Sequence, residues 1–353
     1  LWRVGGGPYR DEHTLYALAK AIDWKRLFTP QRTLRVDIAA TRSPLTSLEF
    51  ATLRVKDAVC DRFRDDVGAR PSVDKRMPDV RVSAYLTERE ATLYVDTSGE
   101  PLFKRGYRRD TEEAPLRENL AAGLIALTGW TPEMPLLDPM CGSGTIAIEA
   151  AQIACGIAPG LQRRFAFERQ LPFTGPDERA LWQRLKAEAK ARIHASAVPI
   201  HASDVSFRMV DFARRNAERA GVAAAIEFHG GDALERPAPL LPEGLPGCVV
   251  LNPPYGERIE VGGKAARPSA QDRDTPTDFF ARLAAHWKQA YTRHAAGWTA
   301  WVLSPDMKLP SAMRLKESRR IPMWNGPIEC RLFRFDLVAG SARAAKPAAK
   351  PDR

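Results

Sequence analysis

The chain has 353 residues, 44% of them hydrophobic and 27% charged, with a formal net charge of +10. That is the size of two domains with their own cores and the balance of an ordinary globular protein. No apolar run approaches the roughly 20 residues that span a bilayer, and Leu1–Arg10 lacks the apolar stretch of a secretory leader. The five cysteines Cys60, Cys141, Cys155, Cys248 and Cys330 show no CxxC spacing, which excludes a disulfide framework or zinc cluster as the organising device. A reducing, cytoplasmic setting and no metal are expected.

The positive charge is uneven. Residues 1–110 carry +5 (21 basic, 16 acidic), residues 111–340 carry +2 (28 and 26), and residues 341–353 carry +3. A basic surplus outside a balanced middle points to a polyanion gripped by one module and modified by another. A generally Arg-rich surface is the plainer alternative.

In chain order, Leu1–Phe28 reads as a short lead-in followed by a helical stretch. Thr33–Ala40 alternates like a half-buried strand, and Ser43–Asp66 has helical spacing with Gly68 placed to stop it. Arg81–Leu86 and Ala91–Asp96 form a hairpin-like pair. Together they predict a small α/β module over residues 1–103. Residues 104–115 open with KRGYRRD and read as a basic linker in which Lys104, Arg105, Tyr107, Arg108 and Arg109 suit contacts to the phosphates of a polyanion such as a nucleic acid.

Residues 116–339 alternate helices with short apolar runs: Leu116–Leu127 (helix), Pro135–Leu137 (strand), Thr145–Cys155 (helix), an irregular Gly156–Thr174, and a charged helix over Asp177–Ser196. Strands at Pro199–Ser203, Ile226–Gly230, Cys248–Leu251, Gly297–Ser304 and Leu332–Leu337 follow, with helices at Phe207–Ala220 and Thr277–Ala295. This predicts an α/β fold with a mostly parallel, doubly wound, Rossmann-like sheet covered on both faces. Residues 340–353 are low in complexity and are expected to be disordered.

Leu136–Thr145 reads LLDPMCGSGT: a strand ending in Asp138, a turn through Pro139, Cys141, Gly142 and Gly144, and a helix from Thr145. The glycines permit a tight turn and close approach of a ligand to the backbone. It is neither a GxGxxG fingerprint nor a Walker loop, since no Lys-Ser/Thr follows. Asp204 ends the next strand, where an acid accepts from ribose hydroxyls, but it lies 60 residues after Gly144 and requires an insertion between them. Asp232 follows a third strand, where an acid can accept from an adenine amino group. Each acid alone is readily a cap or turn residue; three in succession are harder to explain that way.

Asn252-Pro253-Pro254-Tyr255 follows the strand Cys248–Leu251. Two prolines fix an extended backbone and remove two amide donors. The Asn252 side-chain carbonyl and the Pro253 carbonyl can each accept one N–H of a planar amino group, turning its lone pair toward a sulfonium methyl. Tyr255 can stack on a base. Together with the glycine turn, these residues predict S-adenosylmethionine-dependent methylation of an exocyclic amine, with Asn252 also bordering the cofactor. They do not choose among guanine N2, adenine N6, cytosine N4 and a glutamine amide.

With LLDPMCGSGT and NPPYGER (Asn252–Arg258), the segments Leu53–Asp66 (LRVKDAVCDRFRDD), Arg105–Arg108 (RGYR) and Leu116–Ala122 (LRENLAA) extend the pattern over nearly the whole chain. The chain resembles the bacterial large-subunit rRNA guanine-N2 methyltransferases of the L type, which join a THUMP RNA-binding domain to a class I methyltransferase domain. The resemblance implies action on a guanosine of 23S rRNA, free or in an assembly intermediate, and a monomer is expected. It places Asp138, Cys141, Gly142, Gly144 and Thr145 at the methionine and ribose parts of the cofactor, Asp204 at its ribose, Asp232 at its adenine, and Asn252–Tyr255 at the base. The family's N-terminal ferredoxin-like piece reads as truncated to a remnant, the second methyltransferase domain fused in some members is not expected, and Gly262–Thr277 reads as longer than the family pattern. Adenine-N6 methylation and a non-catalytic RNA-binding factor are the competing readings.

Overall fold

The computed structural model describes residues 1–111, 115–254, 276–294 and 296–338. Tyr255, residues 262–275 and the 340–353 tail therefore lie outside the described residues. The chain forms two compact units: Leu1–Lys104 with Gly160–Ala191, and Arg105–Pro159 with the chain from Arg192 onward.

The first unit is a four-stranded sheet in the order β1-β4-β3-β2, built from β1 (Trp2–Pro8), β2 (Leu34–Ala40), β3 (Val80–Leu86) and β4 (Glu90–Val95). Helices α1 (Glu12–Lys20) and α2 (Leu48–Val67) bury Leu15, Ala19, Val55, Val59 and Phe63 in its core. Gly68, at φ 71°, ends α2 in the left-handed conformation that glycine adopts without Cβ strain. The short lead-in expected at the start of Leu1–Phe28 is instead a strand, Trp2–Pro8. Its glycines obscure any alternation, yet packing demands them: a Cβ on Gly6 would sit 2.5 Å from the Ala91 carbonyl oxygen.

Residues 160–191, expected inside the 116–339 domain, belong to this first unit instead. Aromatic packing and side-chain bonds to backbone hold them there. Phe173 meets Trp2 of β1 at 5.6 Å, while Phe165 and Phe167 meet the Trp182 ring at 5.7 and 5.0 Å within the segment itself. Gln170 donates to the Asp96 carbonyl at 2.7 Å, and Arg169 pairs with Asp79 at 2.8 Å. Within the segment, helix α5 comes after α3 (Glu118–Thr128) and α4 (Thr145–Ala154) and spans Pro176–Ala191.

The second unit carries strands β5 (Leu136–Asp138), β6 (Ile200–Asp204), β7 (Ile226–Gly230), β8 (Gly247–Leu251), β9 (Trp298–Ser304), β10 (Arg319–Asn325) and β11 (Ile328–Leu337). Their order is β10-β11-β9-β8-β5-β6-β7, with β5 to β9 mutually parallel and the β10–β11 hairpin antiparallel. Helices α6 (Phe207–Ala220), α7 (Pro276–Ala290) and α8 (Leu309–Met313) complete the described α-helices. This is the expected mostly parallel, doubly wound arrangement. Successive residues feed opposite faces: Leu136 and Val250 pack with Ile148 and Ala202, while Leu137, Val249 and Leu251 pack with Trp287 and Phe333. Strand β10 escaped the sequence reading because Pro322 and the arginines break its pattern, features tolerated at a sheet edge. All five cysteines are free and buried. Among the described residues no helix is long and apolar enough to cross a membrane.

Candidate active site

Strand order in the second unit reverses between β5 and β8, so their carboxyl ends open a crevice of the kind where doubly wound sheets bind ligands. Asp138 is the last residue of β5, and Asn252 is the first after β8. Both line one cleft of about 110 Å³, together with Leu116, Cys141, Gly142 and Thr145. Two segments more than a hundred residues apart in sequence thus meet at a single place, because β5 and β8 are hydrogen-bonded neighbours.

The turn between β5 and α4 needs its glycines for separate reasons. Gly142 sits at φ 52° and Gly144 at φ 85°, both left-handed. A Cβ on Gly144 would also fall 2.8 Å from the Cβ of Ala213 on α6. The turn is tied across the sheet, with the Cys141 amide donating to the Ser203 carbonyl at 2.9 Å. Helix α4 begins at Gly144 without a side-chain cap, so the first turn of the helix presents amides and the positive end of its dipole beside the cleft.

Asp138 is almost wholly buried, and its carboxyl is pushed up to about 8 by burial, with the charge of Asp204 adding to the rise and the Met140 amide bond opposing it. Burial likewise raises the Cys141 thiol well above its ordinary value. Asp204 does end the strand beside β5, so the 60-residue spacing reflects the excursion of residues 160–191 into the first unit. Its carboxylate accepts from the Gly142 amide and from the Ser206 amide, both at 2.9 Å. Asp232, past the end of β7, accepts from the Leu234 amide at 2.9 Å. Pro139, Gly144, Asp204, Asp232, Pro253 and Pro254 are not part of the cleft lining. Pro253 is buried, and Asn252 and Pro254 are half-buried.

The segment expected to be an RNA-binding linker is different. Lys104 ends the first unit, exposed and paired with Glu100 at 2.5 Å, whereas Arg105–Arg109 belong to the second. Arg105 pairs with the buried Glu149 of α4 at 3.3 Å, and the Tyr107 hydroxyl donates to the same carboxylate at 3.1 Å. Tyr107 is 1% exposed. Arg108 donates to the Leu116 carbonyl at 2.7 Å and to the Thr145 hydroxyl at 2.8 Å, and pairs with the buried Glu118 at 3.4 Å. Three of the five residues assigned to RNA therefore brace the helix that follows the glycine turn. Buried carboxylates need such partners, and these arginines supply them. Only Lys104 and Arg109 keep exposed side chains.

Glu118, Glu149 and Asn216 escaped the sequence reading. A signal was present, since Glu149 interrupts the apolar run TIAIEAAQIA, and Asn216 falls on the buried stripe of α6 between Ala213 and Ala217. A lone polar residue on an apolar face marks a buried network, although its partners cannot be read from spacing.

Comparison with known proteins agrees with this architecture. Residues 9–96 match the THUMP domain model, and residues 105–334 match the model described as RMKL-like, methyltransferase domain. Among curated relatives, the ribosomal RNA large subunit methyltransferase K/L of Shewanella pealeana is 37% identical over 348 residues, and that of Shewanella amazonensis is 39% identical over 347. Each alignment covers 97% of this chain but 46% of the relative, so the chain spans about half the length of these proteins. Among solved structures, SMU.472 complexed with SAH superposes with a TM-score of 0.79 at 27% identity, covering 94% of this chain and 82% of that one. A predicted N6-adenine-specific DNA methylase from Listeria monocytogenes gives 0.77 at 26% identity, with 94% and 80% covered. Since the methyltransferase model alone takes in well over half of the residues, this chain belongs to the RMKL-like methyltransferase family.

Proposed function

We propose that the chain is an S-adenosylmethionine-dependent RNA methyltransferase that modifies the exocyclic N2 of a guanosine in 23S rRNA. The observation that carries this reading is the meeting of Asp138 and Asn252 in one cleft at the sheet's switch point. The rRNA part of the reading is supported by the names of the curated relatives and by the THUMP match.

The residues present suit such a cofactor. A buried acid in the cleft can pair with an ammonium group, and the uncapped start of α4 can hold a carboxylate. Asp204 and Asp232, at the ends of the next two strands, are the candidates for the ribose hydroxyls and the adenine amine, since carboxylates accept hydrogen bonds from both kinds of donor. Bound S-adenosylmethionine supplies an electrophilic methyl group. The Asn252 side-chain carbonyl and the Pro253 carbonyl accept the two N–H groups of the target amine and orient its lone pair, so that positioning and electrostatics do the work without a strong base. Tyr255 is the candidate stacking partner for the base, and Lys104 and Arg109 are the remaining candidates for phosphate contacts in the 104–109 stretch.

The test is transfer of labelled methyl to undermethylated 23S rRNA, followed by nucleoside analysis. The expected product is N2-methylguanosine. Labelled N6-methyladenosine would replace guanine with adenine as the target, in keeping with the name of the Listeria neighbour. Binding of RNA without any label would leave an RNA-binding factor.

A further inference from the structure

We infer that Asn216 is a positioning residue for the cofactor cleft: it fastens the glycine turn and the 109–110 backbone to each other, so that the cleft is assembled before any ligand arrives. The inference rests on the reading of the cleft as an S-adenosylmethionine site.

Asn216 lies on α6 and is wholly buried. Its Nδ2 donates to the Ser143 carbonyl at 3.1 Å, in the middle of the glycine turn, and to the Asp110 carbonyl at 2.8 Å. Its Oδ1 accepts from the Arg109 amide at 3.2 Å, the Asp110 amide at 3.4 Å and the Arg219 guanidinium. One side chain thus satisfies backbone groups of two segments more than thirty residues apart in sequence. Ser143 itself lines the cleft. Arg219 reinforces the same place, donating to the Tyr107 carbonyl at 2.8 Å and to the Asp110 carboxylate at 2.6 Å.

No apolar side chain could do this. Removing the amide would leave two carbonyls and two amides without this partner at part-buried positions, where an unmet group is costly. The turn would regain freedom that ligand binding must then remove, which raises the dissociation constant without altering the reacting groups. An Asp at this position keeps the acceptor and the Arg219 contact but sets a carboxylate oxygen against the Ser143 and Asp110 carbonyls.

The test uses the full chain and S-adenosylhomocysteine as the probe. Calorimetric titration of the parent, Asn216→Asp and the core control Leu124→Ala should show affinity lowered by about tenfold or more in Asn216→Asp and unchanged in Leu124→Ala. At saturating cofactor, Asn216→Asp should recover methyl transfer close to the parent rate, a rise in KM rather than a fall in kcat. A parent-like dissociation constant in Asn216→Asp, or an equal weakening in Leu124→Ala, overturns the positioning role. Hydrogen exchange of the parent needs no variant: peptides covering residues 107–111 and 141–145 should gain protection together on adding the probe. Protection of the second alone also overturns it. A parent that does not bind the probe overturns the cofactor reading itself, and this inference with it.

Discussion

The Arg108 guanidinium donates to the Thr145 hydroxyl at 2.8 Å, linking the RGYR segment to the first residue of the helix that follows the glycine turn. An arginine that reads as a phosphate contact in sequence is thereby a brace within the second unit. Replacing it strands Glu118, which is 5% exposed. Breaking one side of a buried pair costs about 3–5 kcal/mol. Arg108→Met should therefore lower the denaturation midpoint strongly while leaving the salt dependence of RNA binding unchanged. Lys104→Ala with Arg109→Ala should do the reverse, reducing the salt slope with little loss of stability. A flattened salt slope in Arg108→Met would return that residue to the RNA.

Asp138 makes cofactor affinity depend on pH. Its carboxyl ionises near 3.8 in an unfolded chain and near about 8 in the folded protein. The folded state thus holds this proton more tightly, and the group's contribution to stability declines as pH rises between those two values. A cationic ligand group at Asp138 draws the proton off, so S-adenosylhomocysteine should bind more tightly as pH rises from 6 to 8, by up to about tenfold per unit. Asp138→Asn should abolish that slope. Calorimetry in buffers of different ionisation enthalpy checks it: absence of proton release at pH 7 would exclude ionisation of Asp138 on binding.

Asn252→Ala removes one of the two acceptors assigned to the target amine. Loss of a single preorganised polar group of this kind lowers turnover by roughly 100-fold to 1000-fold. Binding of S-adenosylhomocysteine should change by no more than a few-fold. Unchanged methyl transfer would remove Asn252 from the chemistry, and it is measured in the same labelled assay that identifies the product.

Gly144→Ala combines two penalties, a left-handed φ of 85° and a Cβ placed 2.8 Å from that of Ala213. The expected cost is about 2–4 kcal/mol, the sum of backbone strain and overpacking. Gly68→Ala is the comparison, since its φ is 71° but no atom lies within 4 Å of the added methyl. It should cost about 1 kcal/mol. Equal losses in the two variants, measured by chemical denaturation, would mean that contact with α6 is not tight.

Much of the fold was legible because side-chain period reports which face an element buries. The runs Thr33–Ala40, Arg81–Leu86 and Cys248–Leu251 read as strands and fall on β2, β3 and β8, and the glycine turn stands between β5 and α4 as its residues predict. Two kinds of element resisted. The strand Trp2–Pro8 carries glycines demanded by close approach of other segments, so its sequence lacks the alternation by which strands are recognised. The edge strand Arg319–Asn325 buries little beyond Met323 and can carry arginines and a proline.

By itself the sequence determined the chemistry on offer: an acid and glycines at a strand end, an Asn-Pro-Pro after another, and a basic N-terminal module. Those are local properties, set by residue type and spacing. Tertiary structure decided what stands opposite what. Hydrogen bonding of β5 to β8 brings Asp138 and Asn252 to one cleft. The packing of residues 160–191 on the first unit accounts for the long gap before Asp204. Burial turns Arg105, Tyr107 and Arg108 inward to Glu149 and Glu118, because a charge removed from water must find its partner inside. A basic stretch in sequence shows only that charge is available. Whether it faces a phosphate or a buried carboxylate depends on partners distant in the chain.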